Sequence, residues 1–368
     1  MKFTVNTKPL IDALNLGVIN NNISPFHKKS TIIQVSASKK ELTLNIEAES
    51  IKTEIKLQGS SDGGEDSRIF VSSSLMKELV NTFEFATTDL EFAEGGLVLH
   101  SGKGKFNLPK LVDDSDVQLD KPNSGVDFSS GIDINKDEWK FIQDNQMYAI
   151  AMSFIHPVYT YMWISKDGDV LVGDYDNSLF THSKKSKLGN TCLLSSTIVN
   201  LFESLPEGSK LIQNDKNYLI SYESDSMSYL SEFIPKYEDE DDMGSYNSQI
   251  FLDMMSHKGQ SLKVSATTMV KYLNQARLLS SNSDDTIDIH LENDILQLKD
   301  NNVNCKLGVE GESLIDDFHI EFKTELLRKV ISNYEDEYIN MMPVIQEEDV
   351  VGMLFWNDSL TTVIAGVD

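Results

Sequence analysis

Cysteine is nearly missing: Cys192 and Cys305 are the only two in 368 residues, and they lie far apart. They provide neither a disulfide framework nor a CxxC metal knuckle, and a reducing compartment, the cytoplasm, fits. Long apolar runs are missing as well. None approaches the roughly 18 residues of a membrane span, and Met1-Lys2-Phe3-Thr4-Val5 reads as a strand rather than a signal peptide, so no membrane partner is expected. Positive charge is the third shortage: 32 Lys and Arg against 58 Asp and Glu give a net charge of -26. Such a surface repels free nucleic acid and anionic membrane, which excludes a simple basic DNA-binding module.

Catalytic constellations are also absent, and no enzyme activity, metal or cofactor is expected. The seven histidines (His27, His100, His156, His182, His257, His290, His319) are scattered, and no two share the i, i+4 spacing of a helical zinc site. Ser101-Gly102-Lys103-Gly104-Lys105 looks like a phosphate cradle. It has Leu97 where the motif's first glycine belongs and Gly104 where Ser or Thr should hold magnesium, so a turn between strands is expected. Asp174-Tyr175-Asp176-Asn177-Ser178 alternates oxygen ligands, but Leu179 and Lys185 stand where a calcium loop needs Gly and Glu. An Asx turn is expected there. Glu238-Asp239-Glu240-Asp241-Asp242 reads as a self-repelling solvated loop.

What the chain does contain is a repeat. Phe3-Thr4-Val5, Ile132-Asp133-Ile134 and Leu262-Lys263-Val264 each precede a capping residue (Asn6, Asn135, Ser265) and an amphipathic run: Pro9 to Leu16, Trp139 to Ala151, Met269 to Leu279. The caps lie 129 residues apart from 6 to 135 and 130 from 135 to 265. A second strand and helix recurs between them, at Ile69-Phe70-Val71 before Ser72, Cys192-Leu193-Leu194 before Ser195, and Ile320-Glu321-Phe322 before Lys323. A period near a third of the chain is too long for a solenoid and means tandem domains. Polar, turn-rich stretches at Lys121 to Gly125 and His257 to Gly259 divide the chain into 1–124, 125–258 and 259–368. Each domain is expected to be α+β, with two helices and about eight strands.

The charge is uneven. The three segments hold 14 basic and 17 acidic residues, 10 and 21, and 8 and 20. Yet the repeated helices keep Lys77, Lys136, Lys140, Lys271, Arg277, Arg328 and Lys329. One reading is ordinary: solvated helix faces often carry Lys and Arg. The other is collective. If the domains turn these helices toward one axis, an acidic ring gains a mildly basic hole.

The residues resemble a known family, the bacterial-type β sliding clamp, the processivity subunit of DNA polymerase III. The opening strand and helix are similar to the family's start, and Leu97 to Leu108 is similar to its strand, Ser-Gly-basic turn and returning strand. Tyr161-Met162-Trp163-Ile164, Asp167-Gly168 and Asp176-Asn177-Ser178-Leu179 resemble a shortened form of its strand pair ending in an Asp-Gly-His-Arg-Leu segment. Phe233-Ile234-Pro235-Lys236-Tyr237 resembles its Phe-Pro-x-Tyr element with one residue added, and Leu278-Leu279-Ser280-Ser281-Asn282 is similar to the close of a third-domain helix. Two departures stand out. The family's usual Met-Pro-x-Arg ending is Val363-Ile364-Ala365-Gly366-Val367-Asp368 here, and a basic pair opening a middle-domain helix is replaced by Ser195-Ser196-Thr197.

The resemblance implies a head-to-tail homodimeric ring of six similar domains around double-stranded DNA, with sequence-independent contacts. It implies a DNA polymerase and a clamp loader ATPase as partners, and a pocket for short apolar peptides. Carried over by position, that pocket's wall includes Leu179, Pro235, Val363 and Ile364, with Tyr159 and Phe180 as neighbours. Leu179 and Val363 are equally readable as plain core strand residues. Two other functions compete: an acidic scaffold or inhibitor that uses the same fold to mimic DNA without encircling it, and, more distantly, a carbohydrate hydrolase.

Overall fold

The structure, a computed structural model, describes residues 1–18, 32–48, 51–63, 65–111, 119–152, 155–214, 216–236, 244–279, 286–292, 295–300, 303–313, 315, 317–334, 338–347 and 349–367. Among them are seven α-helices: α1 (Thr7–Gly17), α2 (Ser73–Val80), α3 (Lys136–Asn145), α4 (Ser196–Ser204), α5 (Ser248–Ser256), α6 (Ala266–Leu279) and α7 (Thr324–Ser332). Six of these sit where the repeated strand, cap and amphipathic run predict them. The caps work at three of the six. Ser72 Oγ accepts from Leu75 N, Asn135 Oδ1 from Asp137 N and Ser265 Oγ from Thr268 N. At Asn6, Ser195 and Lys323 no side-chain cap bond forms.

Helix α3 stops short of its expected end at Ala151. Buried Gln146 leaves helical geometry, donates its amide to Val170 O at 3.3 Å and accepts from Ser183 Oγ at 2.7 Å, and a short 3-10 turn follows at Met147–Ala149. Helix α5 is absent from the sequence expectation. Eight described strands fall in residues 1–124, eight in 125–258 and nine in 259–368. The chain is α+β, and the strand pairings that tie its sheets together are antiparallel.

Contacts group the chain into two compact units, Met1–Trp139 with Ser195–Pro235, and Lys140–Leu194 with Lys236–Asp368. The middle repeat contributes to both because each half of it continues a neighbour's sheet. In the first unit the strand Ile51–Ser61 pairs with Met227–Phe233 from Ile51↔Phe233 to Leu57↔Met227, and its far end pairs with Lys2–Asn6. Gly59 sits in that far end, where a Cβ would meet the Phe3 ring at 2.4 Å and Thr4 O at 2.5 Å. A buried Thr53–Ser231 hydroxyl pair, 3.0 Å apart, pins the junction. The Trp139 ring of α3 stacks on Phe202 of α4 at 4.2 Å, and Phe202 meets Phe233 edge-on, seating this helix pair on the sheet. Burying a side chain such as Phe202 or Phe233 stabilises by about 1.5–3 kcal/mol.

In the second unit Leu179–Lys184 pairs with Thr361–Ala365, from Leu179↔Ile364 to His182↔Thr361, within a nine-stranded sheet. A four-stranded sheet accompanies it, bounded by Asn304–Leu307 at one edge and Phe318–Lys323 at the other. Helices α6 and α7 pack against each other.

Candidate functional site

The six repeated helices carry Lys8, Lys77, Lys136, Lys140, Lys271, Arg277, Arg328 and Lys329 against Asp12, Glu78, Asp137, Glu138, Asp144, Glu203 and Glu325, a net of +1 from 8 minus 7. Removing that +1 from the chain's -26 leaves -27 for everything else. The acid excess therefore lies almost wholly off these helices. They also differ from one another. The pair α1 and α2 is balanced at 2 against 2, α3 and α4 carry 2 basic against 4 acidic, and α6 and α7 carry 4 against 1. Positive charge concentrates on the third pair.

Not every candidate cation faces water. Lys77 is half-buried, and its ammonium donates to Val18 O at 2.8 Å, satisfying a carbonyl at the C-terminal end of α1. Burial pushes its pKa down. Lys136 and Lys140 are exposed on α3, as are Lys271 and Arg277 on α6 and Lys329 on α7. Arg328 forks onto Glu325 with Nε and Nη2 at 3.0 and 2.7 Å, and Arg277 Nε lies 3.3 Å from the same carboxylate.

The second candidate is a cavity of about 650 Å³, lined wholly by residues of the second unit. Phe180, Val363 and Ile364, three of the residues the resemblance names for a peptide pocket, line it. Opposite Phe180 stands Gly173, where a Cβ would fall 1.9 Å from the ring, so only glycine leaves room for it. Leu179 and Tyr159 are buried and outside the lining. Adjacent strand residues point to opposite faces, and of this pair it is Phe180, itself part of a buried aromatic cluster, that reaches the cavity. Tyr159 supports from behind, with its ring 5.7 Å from Phe180 and 5.8 Å from the exposed Tyr175. Pro235 belongs to the first unit and lines no part of this cavity.

Helix α5 supplies part of the wall. Its Phe251 stacks on Phe180 at 3.6 Å and 20°, and Met254 lines the cavity beside it. Leu326, Val344, Val351 and Val367 complete the apolar surface, with Lys323 and Asp176 as the two charged residues of the lining. Successive tail amides hold the C-terminal wall: Ala365 N donates to Ser178 O, Gly366 N to Val351 O and Val367 N to Glu321 O, at 3.1, 3.0 and 2.8 Å. The turn at its mouth is the expected Asx turn. Asp174 Oδ1 accepts from Asp176 N and Asn177 N at 3.0 and 3.3 Å. Ser101 to Lys105 is likewise a turn between strands, with Gly102 at φ +58°. Among the described residues no three His, Cys, Asp or Glu side chains group as a metal site, and no helix is long and apolar enough to cross a membrane. Glu238 to Asp242, Tyr237 and Ser280 to Asn282 lie outside the described residues.

No protein-family model and no characterised sequence is similar enough to match. Solved structures are. The Thermotoga maritima DNA polymerase III beta subunit superposes with a TM-score of 0.76 at 12% identity, over 100% of this chain and 99% of that one. The Caulobacter crescentus beta sliding clamp gives 0.74 at 14% over 100% and 99%, and the Bacillus subtilis DNA polymerase sliding clamp gives 0.71 at 14% over 100% and 99%. The chain has the sliding-clamp fold. At such identities the likeness is one of fold.

The Arg277–Glu325–Arg328 cluster makes a pH prediction. The Arg328 hydrogen bond, with both guanidinium charges, holds the Glu325 carboxyl below the usual Glu range. A depressed folded-state pKa contributes stability that is complete at neutral pH and lost as pH falls through it. Carbon-13 NMR titration of the Glu325 carboxyl is expected to give a pKa below that of an unpaired Glu, and Arg328→Gln should return it toward the ordinary value.

Proposed function

We propose that this chain is a non-enzymatic processivity clamp of three domains (1–124, 125–258, 259–368), which closes as a head-to-tail homodimer around duplex DNA and tethers a DNA polymerase. The observation that carries this reading is the charge segregation within a clamp fold: +1 on the six repeated helices against -27 elsewhere. Helices turned toward an enclosed duplex need weak positive charge. The outer surface needs the opposite, so that unloaded rings do not stick to DNA. Enclosure supplies retention while phosphate contacts stay weak enough to slide, and a clamp loader ATPase opens the ring.

Closure has candidate edges. The strand Gly104–Pro109, which carries the partly exposed Phe106, ends one sheet, and Asn304–Leu307 ends another. Leu278 and Leu279, at the end of α6, are 84% and 60% exposed. Unpaired edges and exposed leucines are liabilities in a monomer, and head-to-tail pairing covers both. The 650 Å³ cavity then serves as the docking pocket for a peptide of the polymerase and the loader, with the Phe180 and Phe251 rings receiving apolar anchors.

One observation favours the second reading, an acidic clamp-fold scaffold or inhibitor that does not encircle DNA: the pair α3 and α4 is net negative, 2 basic against 4 acidic. Topology separates the two. Loaded onto nicked circular DNA, the protein is expected to co-elute with it in high salt and to be released when the circle is cut. Equal retention on linear DNA, or none on circles with its own loader present, rejects encirclement.

Val351→Asp places a carboxylate on an exposed part of the cavity wall without touching the core. Binding of the protein's own polymerase, by calorimetry, is expected to weaken by about 1–4 kcal/mol with the dimer intact. Unchanged affinity rejects this cavity as the docking pocket.

A further inference from the structure

At the contact of α6 and α7 one carboxylate gathers two guanidiniums. Arg328 gives Glu325 two N–H bonds from the fork of its guanidinium, and Arg277 approaches the same Oε2 from the neighbouring helix. The cluster is open to solvent: the side chains of Arg277, Glu325 and Arg328 are 60%, 34% and 22% exposed. Lys271 and Lys329 stand exposed on the same two helices, and Glu325 is the one acidic residue in either. Each guanidinium has five N–H donors, so neither Arg is exhausted by its contact with Glu325.

Two guanidiniums converging on one tetrahedral or planar oxyanion is how proteins recognise phosphate, by paired, charge-assisted hydrogen bonds. Here the oxyanion is supplied by the chain itself. We propose that Arg277 and Arg328 form a contact for the phosphate backbone of duplex DNA, and that Glu325 attenuates it by occupying the place of a phosphate between them. The inference rests on the DNA-encircling reading and adds a device to it. A bare pair of arginines on the most positive helix pair would hold a phosphate firmly at each step. With the carboxylate in place, a phosphate must compete for the guanidiniums and meet its repulsion, so the contact is weak and quickly exchanged. Glu325 is thus a positioning residue that sets the strength of contact.

The test uses the full-length protein and a short fluorescein-labelled linear duplex, followed by anisotropy across a salt series. Glu325→Gln, nearly the same shape without the charge, is expected to bind several-fold more tightly than the parent at low salt. Freeing one more phosphate contact per protomer should steepen the plot of log affinity against log salt by about 1 to 2. Glu325→Ala is expected to act in the same direction. Glu94→Gln removes the same charge from a turn on another element and should leave affinity essentially unchanged. The double variant Lys271→Glu, Lys329→Glu should weaken binding. If Glu325→Gln binds like the parent or less tightly while the lysine variant weakens, the attenuator role is wrong although DNA still meets these helices. If Glu94→Gln tightens binding as much as Glu325→Gln, the effect is one of net charge and the proposal is likewise overturned. No binding by any of them, Glu325→Gln included, means that freeing the guanidiniums exposes no phosphate contact and overturns the attenuator role, whatever retention on circular DNA shows.

Discussion

Backbone hydrogen bonding between strands far apart in sequence is the constraint on which this structure rests. Ile51–Ser61 must satisfy its amides against Met227–Phe233, and Leu179–Lys184 against Thr361–Ala365, because an unpaired strand buried under helices would strand its polar groups. Each junction ties one repeat to the next by a continuous sheet rather than by a linker. Both sites depend on these junctions. The second presents Phe180 to the cavity with Val363 and Ile364 alongside, and the first carries the sheet on which Trp139 and Phe202 seat α3 and α4.

On that scaffold the charges are arranged by helix. A net charge of -26 would ordinarily argue against any contact with DNA, yet the balance reverses on α6 and α7, where one Glu meets four basic residues. Some cations are spent inside the protein, as Lys77 is on the end of α1, and two are gathered by Glu325. The number of basic residues on a helix is therefore a poor guide to the charge it offers a ligand. Their hydrogen bonds decide it.

Local periodicity made most of the fold legible in the sequence. Apolar residues three and four apart, preceded by Asn or Ser, mark α1, α3 and α6, and the constant spacing of those signals shows the tandem organisation before any pairing is known. Pairing between repeats was not legible, since register between distant strands leaves no trace in a single chain. Helix α5 escaped notice because it belongs to one stretch only, beside an expected boundary, although Ile250 and Met254 keep helical spacing. Of the residues the resemblance named for a peptide pocket, Phe180, Val363 and Ile364 line the 650 Å³ cavity. Leu179 and Pro235, named by the same resemblance, lie outside that lining, while Phe251 and Met254 of α5 belong to it and carry no signal in the resemblance. The roles of Lys77 and Glu325 depend on partners 59 residues away for Lys77 and 48 residues away for Arg277, which no local pattern reports.

Encirclement is the central claim, and the shape of the purified particle tests it most directly. Electron microscopy of the full-length protein at micromolar concentration is expected to show a closed, two-fold symmetric ring of six similar lobes around an open centre wide enough for duplex DNA. A solid monomeric particle, or an assembly with no central opening, would contradict it.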